Sequence, residues 1–199
     1  SYGTNLSVTA ESTVSGGDEG IYAYNIGTGA LSITANGAVT GTTGGGILAI
    51  NKASGLSLTA ESTVSGGHSG IFANNVYRGA LEITTTGAVT GTTGGGILAI
   101  NGGTDLSVTA GAAVSGDTYG FFAFNYGTGA LEITAAGTVT GTRFDGIQAT
   151  NEGTDLTITA GGDVTGGMNG IVTDHRGDGA LGVTMAGAVT GGTGAGVEN

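Results

Sequence analysis

The 199-residue chain has no cysteine and no proline, and charged residues are scarce at 10%. Lack of cysteine is compatible with an extracellular protein that folds without oxidation, though it does not demand one. Lack of proline, with no glycine at every third position, excludes a collagen triple helix despite the 45 glycines. The basic side chains are only Lys52, Arg78, Arg143 and Arg176, scattered along the chain and outnumbered by 15 acidic residues for a net charge of −11. Nucleic-acid binding needs clustered cations to neutralise phosphates, so neither nucleic acid nor an anionic membrane surface is an expected partner. No apolar run approaches a membrane-spanning length, so no membrane insertion is expected of this segment. No stretch combines a helical period with capping residues, so helix should be nearly absent. Disorder is not expected either, because hydrophobic residues make up 38% of the chain and recur at fixed positions.

What is present is a repeat. Residues 37–51 read GAVTGTTGGGILAIN, and residues 87–101 are identical. Leu6, Leu31, Leu56, Leu81, Leu106, Leu131, Leu156 and Leu181 stand 25 residues apart. A fixed period of this size is the signature of a solenoid, whose units are stable only when stacked. Each unit carries three strand signals: Leu-x-Ile/Val/Leu-Thr, a short segment around Val14 and its equivalents, and Gly-Ile-x-Ala-x-Asn. Apolar residues alternate with period two within them, and glycine and small polar residues separate them. Hairpins within a unit would not require like residues at like offsets, whereas coil-on-coil pairing does. The expected fold is an all-β, right-handed parallel β-helix of eight coils, with about 25 residues and three short strands per coil.

The turns alternate in length. Val14 to Gly20 is six residues and Val39 to Gly46 is seven, while Asn25 to Leu31 is six and Asn51 to Leu56 is five. The extra residue in one turn is offset in the next, which preserves core register. Leu6, Val8, Val14, Ile21 and Ala23 are expected to face inward, with Phe121 replacing Ile in one coil. The glycine runs at 44–46 and 94–96 lack a phosphate loop's Lys-Ser/Thr and precede a strand, so positive-φ turns are expected there. Ser1 takes the place of Asn51 and Asn199 that of Ala49, with no polar cap at either end. Residues 1–199 are therefore expected to be one solenoid segment of a longer array.

Three surfaces invite a functional reading. Asn25, Asn51, Asn75, Asn101, Asn125 and Asn151 should stack at one corner as a structural amide ladder, which His175 interrupts. On the Leu-x-Ile-Thr strand, Thr9, Thr34, Thr59, Thr84, Thr109, Thr134, Thr159 and Thr184 form an outward column beside a serine column that Glu82 and Glu132 break. Such hydroxyl arrays organise water in several antifreeze proteins, and threonine is also simply favoured on exposed strands. On the Gly-Ile-x-Ala-x-Asn strand, the outward positions hold Tyr22, Tyr24, Leu48, Ile50, Phe72, Leu98, Ile100, Phe122 and Phe124. An apolar stripe of this length marks a contact surface, unless its side chains cover one another.

No catalytic, cofactor or metal site is expected. Carboxylates are scattered over turns, and Arg143, Asp145, His175 and Arg176 are the only mixed cluster candidate. A lone histidine is more often structural than a metal ligand. The calcium-binding nonapeptide pattern does not repeat, and a bound calcium ion is left open.

The string GTGALEITAAGTVTG at 127–141, with the Gly-Ile-x-Ala-x-Asn pattern that follows at 146–151, resembles repeats in passenger domains of bacterial autotransporters and large surface adhesins. That resemblance implies a right-handed β-helix exported to the bacterial cell surface as a stalk or adhesin. The expectation is a non-enzymatic extracellular structural or adhesive rod. Its partner would be another copy, met laterally or end to end in filaments, or another surface protein or glycan. The alternatives are an ice-binding solenoid using the threonine face and a carbohydrate-active β-helix.

Overall fold

A computed structural model describes residues 3–199; Ser1, read above as the equivalent of Asn51, lies outside them. The first coil runs through strands Leu6–Ala10, Val14–Gly16 and Ile21–Asn25. The second repeats it through Leu31–Ala35, Val39–Gly41 and Ile47–Asn51. The pattern continues to an eighth coil of Leu181–Met185, Val189–Gly191 and Val197–Glu198. Corresponding strands pair side by side into three parallel eight-stranded sheets, here the first, second and third in order along a coil. The molecule is thus a parallel β-solenoid of eight coils, and the described residues contain no helix.

Register places like on like. Leu6 pairs with Leu31 and Leu31 with Leu56 in the first sheet, and Val14 with Val39 in the second. In the third sheet, Asn25 pairs with Asn51 and Asn51 with Asn75, so the steps alternate between 26 and 24 residues. The unequal turns read from the sequence produce this alternation, and the first sheet keeps its uniform step of 25.

The core is the set of inward side chains from all three sheets. Leu31, Ile33, Val39, Ile47 and Ala49 are buried in the second coil, and their equivalents follow coil by coil. Full burial of one such aliphatic side chain stabilises by roughly 1.5–3 kcal/mol. Of the inward residues expected in the first coil, Ile21 and Ala23 are buried, while Leu6, Val8 and Val14 are half-buried and packed against the core. Phe121 is fully buried. A further inward column at the end of the first-sheet strand escaped the sequence reading. It holds Ala35, Ala60, Ala110, Ala135 and Ala160, with Thr85 the polar exception.

The glycine runs require a correction. Among the described residues, the glycine with a left-handed backbone is Gly79, at φ 73°, and not any glycine of 44–46 or 94–96. Gly46 is needed for room. A Cβ there would lie 2.6 Å from Val64 Cγ1 and 2.7 Å from the carbonyl oxygen of Gly70. Gly20, Gly70, Gly96, Gly120, Gly146 and Gly170 make the same niche for a valine methyl of the next coil. The glycine opening the third strand and the valine column are therefore complementary halves of one packing contact.

Candidate functional site

The asparagine column is a continuous ladder. Asn25 Nδ2 donates to Asn51 Oδ1 at 2.9 Å, and the same bond links 51 to 75, 75 to 101, 101 to 125 and 125 to 151, each at 2.9 Å. All six asparagines are fully buried. Each also donates to a carbonyl of its own turn, as Asn51 does to Gly55 at 2.7 Å. Most of the Oδ1 atoms accept a backbone N–H two residues on, as from Gly27, Gly103, Gly127 and Gly153. The amides are consumed in tying turns together, which leaves them no free polar atom for a ligand. His175 takes the next place, with Nε2 at 3.1 Å from the Gly179 oxygen and a buried Nδ1 that has no partner among the described residues.

The stripe on the third sheet is outward, alternating with the buried Ile, Ala and Asn of the same strands. Tyr22 is 62% exposed, whereas Tyr24, Leu48, Ile50, Phe72, Leu98, Ile100, Phe122 and Phe124 are half-buried. Stacking at the strand spacing of about 4.8 Å makes each side chain shield its neighbours. In the fifth coil the stripe widens into a run of rings. Tyr119 lies 5.3 Å from both Phe122 and Phe144, Phe122 lies 6.2 Å from Phe124, and Phe124 stacks on Tyr126 at 4.2 Å. Burial raises the pKa of the Tyr119 phenol, and nearby Asp145 adds to the rise. Beyond this coil the stripe gives way to Gln148 and Thr150.

The two edges of the stripe differ. Along the turns that enter the third sheet, two shallow hollows of about 300 and 240 Å³ share His68, Ser69 and Leu98, so they merge into one trough. Glu19 flanks its start, and Leu48, Phe72 and Phe122 line its floor. Along the turns that leave the sheet, Lys52 sits over the Tyr24 ring, 5.5 Å from its centre. Hydrogen bonding to Tyr24 holds the Lys52 ammonium pKa above its ordinary value. Lys52, Tyr77 and Arg78 line a third hollow on this edge.

The threonine column is in register along the first sheet, from Thr9 with Thr34 to Thr159 with Thr184. These side chains are exposed or half-exposed, and Glu82 and Glu132 stand exposed in the adjoining column.

The mixed charged cluster is not brought together. Arg143 and Asp145 lie in the turn entering the third sheet, and His175 and Arg176 lie where the sheet is left, a full strand away. Arg143 pairs with Asp117 at 3.0 Å, and Arg176 pairs with Asp174 and with Glu152. Asp145 accepts from the backbone N–H and the side-chain amide of Asn169. Other carboxylates have structural work that the sequence did not announce. Asp105, Asp155 and Asp163 accept the backbone N–H of Ala130, Ala180 and Ala188, each one coil further on. Among the described residues, no three of His, Cys, Asp and Glu converge as metal ligands. No protein-family model, curated protein or solved structure matches the chain.

Proposed function

We propose that this solenoid is a non-enzymatic structural rod of the extracellular, autotransporter- or adhesin-like kind, and that it associates with copies of itself through the outward face of the third sheet. One observation carries the reading. In a chain of net charge −11, the outward positions of the third sheet over the first five coils hold no charged residue and are almost all aromatic or aliphatic. Apolar surface of this extent on a soluble protein marks a contact. The near-identity of the coils also suits a part whose length matters more than a unique pocket. Replacing Tyr22, Tyr24, Phe122 and Phe124 together by serine should abolish concentration-dependent light scattering. Association that persists undiminished excludes this face.

A second reading, ice binding, is favoured by the in-register threonine column of the first sheet. Thermal hysteresis that disappears in Thr59→Lys/Thr109→Lys would establish it.

A further inference from the structure

We infer that two copies of this chain pack face to face on the third sheet with their rods parallel, related by a two-fold axis along the rod. This rests on the self-association reading above and adds the orientation. The argument comes from the edges. In the first three coils, Asp18 and Glu19 stand on the turn that enters the third sheet, and Lys52 and Arg78 stand on the turns that leave it. The apolar stripe lies between. Asp18 Oδ1 accepts a hydrogen bond from Thr43, and Glu19 lines the trough beside Leu48. Among the described residues the ion pairs involve only Arg143 and Arg176, so Lys52 and Arg78 have no carboxylate partner.

Two symmetric arrangements bring such faces together. A two-fold along the strand direction makes the rods antiparallel and sets like edge against like edge, acid on acid and Arg78 toward Arg78. A two-fold along the rod keeps the rods parallel and reverses the strands. Over the first three coils, the acidic edge of each copy then meets the basic edge of the other, with Asp18 and Glu19 about one coil from Lys52 and two coils from Arg78, or roughly 5 and 10 Å along the axis. Opposite charges at an interface rim fix orientation more than they add affinity. The same operation sets position 22 against position 24, Leu48 against Ile50, Leu98 against Ile100 and Phe122 against Phe124, so apolar meets apolar in four of the five coils, and in the third Phe72 meets Asn74. The interface is isologous, as closed dimers require.

The area sets the strength. Five coils at about 4.8 Å by a five-residue strand of roughly 17 Å give about 400 Å² per copy. Stable complexes bury about 800 Å² per partner, so this dimer is weak and forms at high protein concentration.

The test uses the whole chain at concentrations from about 10 μM to 1 mM, followed by sedimentation equilibrium. Because the chain has no cysteine, Val172→Cys provides a unique site for a nitroxide on the seventh coil. The parallel dimer places the two labels within roughly 25 Å, and an antiparallel dimer centred on the third coil places them roughly 40 Å apart. Asp18→Lys/Glu19→Lys makes the chain less acidic, yet should weaken the parallel dimer at least tenfold by setting like charges together. Adding Lys52→Glu/Arg78→Glu to that variant should restore it. Dimerisation with the long distance, or strengthened by Asp18→Lys/Glu19→Lys, overturns the parallel arrangement and leaves self-association standing. A monomer at every concentration overturns both.

Discussion

Thr85 is the one hydroxyl in a column that is otherwise alanine from Ala35 to Ala160, and its Oγ1 is buried with no partner among the described residues. A buried hydroxyl without a hydrogen bond costs about 1–3 kcal/mol. Thr85→Val keeps the shape and removes the hydroxyl, so it should raise stability by about 1–2 kcal/mol, read as a later urea midpoint. Asn101 is the opposite case. Alanine there strands the Asn75 donor and the Asn125 acceptor along with the turn groups that Asn101 serves. Asn101→Ala should cost about 3 kcal/mol in the same titration, because several buried groups lose partners together. The asparagine column was legible in the sequence because a letter that recurs once per coil must stack on itself. The roles of Asp105, Asp155 and Asp163 were not. Each serves a backbone N–H 25 residues away, and nothing in the local sequence marks a donor at that distance.

The strands themselves were readable, since period-two alternation and the repeat locate all three in each coil. Their inward and outward faces followed from the same alternation. How far an outward side chain is exposed did not follow, because shielding comes from the coils above and below: Tyr22, with a coil on one side only, is far more exposed than Phe72. The turn glycines were misread for a related reason. Sequence shows that a glycine is present, but whether it serves backbone φ or a neighbour's volume depends on the coil stacked against it. Gly46 and Gly17 separate the two cases. A Cβ at Gly46 collides with a valine methyl and two carbonyls, whereas one at Gly17 meets nothing within 4 Å. Gly46→Ala should therefore destabilise by about 3 kcal/mol through overpacking. Gly17→Ala should be neutral or stabilising by less than ~1 kcal/mol through the unfolded chain. Equal losses at the two sites, measured by thermal melting, would refute the volume argument.

At the scale of the molecule, stability is the sum of coils and the contacts between neighbours. Because two coils form the true sequence unit, deleting residues 52–101 joins Asn51 to Gly102 at equivalent places and keeps the turn alternation intact. The shortened chain should keep its β-sheet circular dichroism and lose about 10 Å of length by small-angle scattering. A collapse to disordered spectra would show that the coils are not modular. The backbone bonds between parallel strands run both ways along the axis, so their dipoles largely cancel. The amide ladder does not cancel. Every Nδ2 from Asn25 to Asn125 points toward the later coils, and every accepting Oδ1 points back. The rod therefore carries an internal arrow, a one-way chain of polarised amides with a negative tail in the first coil and a positive head at Asn151. Its two ends are electrically different objects even where their coils are spelled alike.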